Sequence, residues 1–467
     1  NANGCYTVKP VVVKVNPLPT ASIGATGPAC KGDTTAPVVT FTGANGTAPY
    51  TFTYKIGNGS NLTVSTVSGN SVNVPASTAA AGSFVYTLVS VKDSSTSACT
   101  QTQTGTATVT INPLPTAAIA GTTSVCKDDA APNVTFTGAG GTAPYTFTYK
   151  VNGGADQTVT TTSGNAVTVA QLTDTAGSFA YTLVSVKDAS TTACTQAQTG
   201  TATITVKALP TATIAGTAAV CKDAAAPNVT FTGAGGTAPY TFTYKLNNGA
   251  DQTVTTTTGS SVTVAQPTGT AGSFVYTLVS VKDGSTSACT QVQTGTATIT
   301  VNPLPTATIA GTTAVCKDGT APTVTLTGAG GTSPYTFTYK VNGGADQSVT
   351  TTGGSVAMLT APTAAAGSFV YTLVSVKDAS TSACTQAQTG TATITVNPLS
   401  TAAIAGTTAV CKDAAAPTVT FTGAGGTAPY TFTYKVNGGA DQTVTTTSGS
   451  EVTVAQATGT VGDFVYT

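Results

Sequence analysis

Tyr145-Thr-Phe-Thr-Tyr-Lys-Val places three aromatic side chains at every second residue. Successive side chains of an extended strand point to opposite faces, so the aromatics share one face and the threonines the other. This is a strand with one dry and one wet side. The same heptapeptide, or a near copy, stands at 50–56, 240–246, 335–341 and 430–436. Nearly everything around it recurs as well. Cys126, Cys221, Cys316 and Cys411 are 95 residues apart, Cys30 precedes Cys126 by 96, and Cys99, Cys194, Cys289 and Cys384 keep the step of 95. A unit of this size can fold alone, unlike the 20–45-residue pieces of a solenoid.

Reading outward from the aromatic strand, residues 306–397 give one whole unit. Thr306-Ala-Thr-Ile-Ala predicts a first strand, Cys316-Lys-Asp-Gly-Thr-Ala-Pro a loop, and Thr323-Val-Thr-Leu-Thr a second strand. After the aromatic strand, Asn342-Gly-Gly signals a hairpin into Gln347-Ser-Val-Thr-Thr-Thr, and a short strand follows near 356–359. Phe369-Val-Tyr-Thr-Leu-Val-Ser-Val is apolar on both faces in places, as a central strand is, and Thr391-Ala-Thr-Ile-Thr-Val closes the unit. Seven or eight short strands with Gly, Pro and Asn turns predict an all-β, antiparallel sandwich.

The units divide the chain into repeats at 20–115, 116–210, 211–305, 306–400 and 401–467, the last incomplete. Residues 1–19 read as the last strand of a preceding repeat, with its turn at Asn1-Ala-Asn-Gly-Cys5, its strand at 11–15, and a linker. On this reading the sequence is cut from a longer array; the rarer alternative is that the orphan strand completes the open fifth repeat of a neighbouring chain. The junctions are Asn16-Pro-Leu-Pro, Asn112-Pro-Leu-Pro and Asn302-Pro-Leu-Pro, with the variants Lys207-Ala-Leu-Pro and Asn397-Pro-Leu-Ser. Proline fixes φ and keeps the preceding residue extended, so these junctions act as stiff spacers. Five units in a row would span on the order of 200 Å.

Composition narrows the function classes. The chain has no histidine and no tryptophan; its 17 basic residues are all lysine, and Glu451 is the only glutamate among 17 acids. Charged residues make up 7% and the net charge is zero. A nucleic-acid binder carries a basic stripe and a polybasic membrane binder a lysine cluster, and the sequence offers neither. No apolar run approaches the ~20 residues of a membrane helix. Without histidine the usual general base is missing, and no catalytic or cofactor-binding residue is assigned. Zinc sites want close pairs such as CxxC, whereas these cysteines are never closer than 25 residues, so disulfides and an oxidising compartment are expected.

Lys187-Asp188 and Lys222-Asp223 read as solvated pairs in loops. Asp128-Asp129 is the nearest approach to a calcium loop, but it is not repeated, and no metal ligand is assigned. Lys150, Lys245, Lys340 and Lys435 end the aromatic strand and could form crosslinks, but no acid was matched to them. Thr-x-Thr rows such as Thr201-Ala-Thr-Ile-Thr read as filler on a wet sheet face.

Together, Val-Cys-Lys-Asp before a strand, Gly-Gly-Thr-Ala-Pro-Tyr-Thr-Phe-Thr-Tyr, Gly-Ser-Phe-Val-Tyr-Thr-Leu and Ala-Cys-Thr-Gln before the last strand resemble the PKD-like repeats of giant Bacteroidota cell-surface proteins. More distantly, they are similar to the repeats of mobile gliding adhesins. The resemblance spans the whole chain. It implies Ig-like sandwiches, export, and a structural or adhesive role at the cell surface. The departure is Tyr149-Lys-Val-Asn-Gly-Gly, where PKD domains carry a Gly-Asp-Gly motif and a tryptophan. Asp33-Thr34-Thr35 and Asp174-Thr175-Ala176 fit the short acceptor pattern for O-glycans in that group, which makes Thr34 and Thr175 candidates.

Within such sandwiches the first loop and the last hairpin lie at opposite ends. Bonds from one repeat to the next, Cys30–Cys194, Cys126–Cys289 and Cys221–Cys384, are therefore preferred. The set within repeats, Cys30–Cys99, Cys126–Cys194, Cys221–Cys289 and Cys316–Cys384, stays open. The expected function is a non-catalytic extracellular stalk or fibre. Its partners would be neighbouring repeats and other copies. The alternative is an adhesin whose repeats bind a surface or glycan with multivalent avidity.

Overall fold

The computed structural model describes all residues except Asn1, Asn3 and Cys5. Among these the regular structure is all strand. The first repeat serves as the type. Its strands are β1 (Thr20–Ala25), β2 (Ala29–Cys30), β3 (Val38–Ala44), β4 (Thr51–Ile56), β5 (Leu62–Ser65), β6 (Ser71–Pro75), β7 (Gly82–Lys92), β8 (Thr100–Thr102) and β9 (Thr106–Asn112). One sheet runs β1-β3-β6 and the other β2-β9-β7-β4-β5, with β8 also paired to β7. The two sheets enclose a core, as a sandwich requires.

Alternation sorts the side chains. Val39 and Phe41 of β3, Phe52 and Tyr54 of β4, and Val109 and Ile111 of β9 are buried. Thr106, Thr108 and Thr110 on the other face of β9 are exposed. Phe41 lies 5.6 Å from Phe52 and 4.9 Å from Tyr54 between ring centroids, so the aromatic stripe read from the sequence is the centre of the core. The Tyr50 ring covers Gly43, where a Cβ would come within 2.6 Å of it; only glycine lets the ring lie flat there. Its hydroxyl donates to the Gly46 carbonyl at 2.7 Å, which satisfies the polar tip of a buried ring. β7 is the central strand: Gly82–Thr87 pair with β9, Tyr86–Lys92 pair with β4, and a bulge at Thr53/Tyr54 absorbs the offset.

One pairing departs from the antiparallel expectation. β2 runs parallel to β9, with Ala29 beside Ile111 and Cys30 beside Asn112. The first strand leaves the β1 sheet and crosses to the other, where it meets β9 running the same way. In the second repeat Gly121 makes this crossing at φ 121°, and a Cβ there would sit 2.5 Å from the Asn133 carbonyl oxygen. Alternation reveals strands but not a change of sheet, so this pair was invisible to it.

The same two sheets recur through Thr201–Lys207, Thr296–Asn302 and Thr391–Asn397, the closing strands of the second, third and fourth repeats. Residues 401–467 form a three-stranded sheet of Thr401–Ala405, Thr418–Ala424 and Glu451–Ala455 and a pair, Thr431–Tyr434 with Gln442–Thr445. The strand expected at 11–15 is absent: these residues are exposed and no sheet of the described residues takes them up. A last strand needs a β7 beside it, and none stands there. Most of the turn expected at 1–5 lies outside the described residues.

The chain forms two compact units. One comprises Asn1–Thr211 with Ala234–Pro239 and Lys282–Gln291; the other comprises Ala212–Gly233, Tyr240–Val281 and Val292–Thr467. The first unit thus holds the hairpin that carries Cys289, although that hairpin belongs in sequence to the third repeat.

Phe147 is the fully buried counterpart of Phe52. Phe147→Ala is expected to cost about 3–5 kcal/mol in denaturant unfolding of its repeat. A loss below about 0.5 kcal/mol, the size of an ordinary surface change, would mean that the aromatic strand does not build the core.

Candidate functional site: the joints between repeats

The hairpin after the central strand reads Lys187-Asp-Ala-Ser-Thr-Thr-Ala-Cys in the second repeat. Asp188 is buried while Lys187 points out. The Asp188 carboxylate accepts the Thr142 amide at 3.1 Å and the Ser190 hydroxyl at 2.7 Å. Its own amide donates to the Cys194 carbonyl at 3.0 Å. In the next repeats the carboxylate also takes the amide of the cysteine itself, Cys289 to Asp283 at 2.9 Å and Cys384 to Asp378 at 2.8 Å. This small polar ring fixes the backbone of the cysteine. Ala193, just before it, is held at φ 51°, a left-handed conformation that costs a non-glycine residue roughly 1–2 kcal/mol. At Asp93 desolvation pushes the carboxyl upward, but hydrogen bonds from the Ser95 hydroxyl and the Thr47, Ser95 and Cys99 amides outweigh it and hold the group below the usual aspartate range.

The aspartates at 93, 188, 283 and 378 are buried structural acceptors, not solvated partners of the preceding lysine. The useful signal was Asp-x-Ser ahead of Ala-Cys, a spacing that lets a carboxylate cap its own turn. The lysines of the aromatic strand also have matched acids: Lys150–Asp156, Lys245–Asp251, Lys340–Asp346 and Lys435–Asp441 approach to 3.7, 3.7, 3.6 and 3.5 Å. Both partners are well exposed, so these are surface pairs rather than buried crosslink sites. Lys222–Asp223 at 2.9 Å is a surface pair, as read.

The other half of each joint is the end of the strand equivalent to β2. There Cys126 donates its amide to Asp129 at 2.9 Å and Cys30 donates to Asp33 at 2.8 Å. Asp129 is thus occupied as a cap and Asp128 pairs with Lys127 at 2.9 Å. No group of three or more His, Cys, Asp or Glu side chains that could hold a metal ion occurs among the described residues.

The halves meet between successive repeats. Disulfides join Cys30 to Cys194, Cys126 to Cys289 and Cys221 to Cys384, with Cα separations of 5.7, 5.6 and 5.6 Å. The pairs within a repeat are not formed. Cys30 lies beside Asn112, near the start of β7, while the hairpin follows the end of that eleven-residue strand, roughly 35 Å away. Cys99 is a half-buried free thiol, and Cys316 and Cys411 are exposed and free.

Polar contacts accompany the bonds. The linker asparagines reach the next hairpin, Asn112 to Thr192 at 2.8 Å and Asn302 to Ser382 at 3.1 Å, and Asn16 reaches Ser97 at 2.9 Å. Where Lys207 replaces the asparagine, Ser287 bonds Ser124 at 3.0 Å instead. The sequence marks these junctions as stiff spacers through their prolines and gives the asparagines no separate role. The second linker proline packs close above Gly141, where a Cβ would meet Pro115 at 3.1 Å and Asp188 at 2.6 Å.

Thr34 and Thr175 both stand exposed in bends. Large exposed apolar side chains within the repeats, such as Val67, Leu172, Val292 and Met358, are single and unrepeated. A groove of about 340 Å³ in the fifth repeat is lined by residues 408–412 and 460–464. In complete repeats those two stretches flank and pair with the closing strand.

The chain matches no family model. It matches no curated protein either. Among solved structures it is similar to a 1.5-MDa bacterial ice-binding adhesin, at 14% identity over 61% of this chain and 99% of that one, with a TM-score of 0.31. It is also similar to a tetra-tandem repeat from the extending region of a large adhesion protein (15% identity, 81% and 99% covered, TM-score 0.32). A third is invasin, a bacterial integrin-binding protein (15%, 85% and 82%, TM-score 0.30).

Non-reducing peptide mapping of the oxidised protein is expected to recover the Cys30–Cys194, Cys126–Cys289 and Cys221–Cys384 peptides. A Cys126 peptide linked to the Cys194 peptide would refute the joint.

Proposed function

We propose that the chain is a stretch of a non-catalytic extracellular stalk or fibre, kin to the PKD-like tandem repeats of cell-surface proteins. The observation that carries this reading is the joint: the disulfide links one repeat to the next three times over, with a linker and hairpin of nearly constant sequence. Copying such a unit lengthens an object without changing its surface. Repeats that bound a ligand would repeat an exposed aromatic or apolar patch. Here the aromatics of the strands fill the cores and the exposed apolar residues are scattered, which supports the stalk over the adhesin. Other copies in a fibre are the partners that this reading calls for.

Small-angle scattering tests it. A compact chain of this length has a radius of gyration of about 23 Å. The stiff linkers predict at least twice that, and a value near the compact one would overturn the stalk.

Glycans on Thr34 and Thr175 belong to the same proposal, since both sit in exposed bends. The intact mass of the native protein should then exceed that of the bare sequence, and an equal mass removes the glycans.

A further inference from the structure

The three disulfides do more than join neighbours, because their loops interleave. They close over sequence separations of 164, 163 and 163 residues. Each loop encloses most of two repeats. Yet the hairpin cysteine of one repeat and the next cysteine along the chain are close in sequence, as Cys194 and Cys221 are. The stretch between these two holds only the short strand Thr195–Ala197, the closing strand Thr201–Lys207, the linker, and the short strands Thr211–Ala215 and Ala218–Cys221.

We propose that these bonds and short stretches form a covalent tension-bearing track that bypasses the sandwich cores. Load entering before Cys30 crosses to Cys194, follows the backbone to Cys221, and crosses again to Cys384. The bond Cys126–Cys289 starts a second track, which continues from Cys289 to Cys316. The aromatic strands and the central strands of the first four repeats lie on neither short path. Pulling can strip them from their sheets, but it cannot draw them out into length.

The consequence is a limit on reach. Fully extended at ~3.3–3.6 Å per residue, the 467 residues would span about 1,600 Å. With the bonds closed, only residues 1–30, 194–221 and 384–467 stay on the shortest path, and the reach falls to about 500 Å. The chain acts as a strain-limited tether.

Single-molecule pulling of the whole chain from its two ends tests this, with bond closure first verified by thiol labelling. The oxidised protein is expected to stop lengthening at about one third of the reach measured in a dithiol reductant. The triple variant Cys30→Ser, Cys126→Ser, Cys221→Ser should reach the full length without reductant. An oxidised chain that extends as far as the reduced one overturns the track. The inference deepens the stalk reading, and the two fail separately. A compact particle with limited reach counts against the stalk alone, and an extended particle with full reach counts against the track alone.

Discussion

One carboxylate in each of the first four repeats decides where the joint can form. Asp188 and its counterparts sit at the end of the central strand, accept an amide from the loop before the aromatic strand, and gather the hairpin around themselves. A buried carboxylate without partners would be costly, so the loops that satisfy it are held as firmly as it holds them. That mutual dependence places Cys194, Cys289 and Cys384 at the tip facing the preceding repeat. If the hairpin were free to fray, the cysteine could sample many positions and the bond would not be specified by the fold.

The composition explains why covalent joints suit this chain. With 7% charged residues, few ion pairs are available to fix one domain against another. Those that exist lie on the surface, where a pair contributes ~0–1 kcal/mol and weakens with salt. A disulfide closing a loop of 163 residues is worth about 5 kcal/mol in the chain-entropy model. The bonds therefore outweigh the charges several-fold, independently of ionic strength. The repeated Asn-to-hydroxyl contacts add about 1 kcal/mol apiece and orient the joint rather than hold it.

Much of the sandwich was legible because alternation is a local signal. Tyr145, Phe147 and Tyr149 had to share a face, and that face had to be buried. The hairpin at Asn342-Gly-Gly and the doubly apolar central strand were legible for the same reason. The parallel β2/β9 pair was not, since it depends on a strand changing sheets, which leaves no periodic trace. The role of Asp188 was hidden by its lysine neighbour, which drew it into the reading of an ordinary surface pair. The acids matched to Lys150 and its counterparts were missed because they lie six residues on, across a hairpin rather than along a strand. Cysteine spacing alone could not choose a partner: that choice depends on which end of the sandwich each cysteine occupies, a property of topology and not of distance in sequence.

Topology also gives the repeat its economy. Had each repeat closed its own disulfide, every domain would be stabilised singly and every linker would carry the full load alone. Placing the two cysteines at opposite ends of the domain transfers the crosslink to the linker, the one element that has no core of its own. Because each bond spans two repeats and the next begins within it, no linker between bonded repeats depends on a single chain of peptide bonds. The sandwich then serves chiefly as a spacer that holds two cysteines roughly one strand length apart. Any substitution that preserves this spacing and the hairpin aspartate leaves the joint intact, so the threonine-rich faces are free to vary.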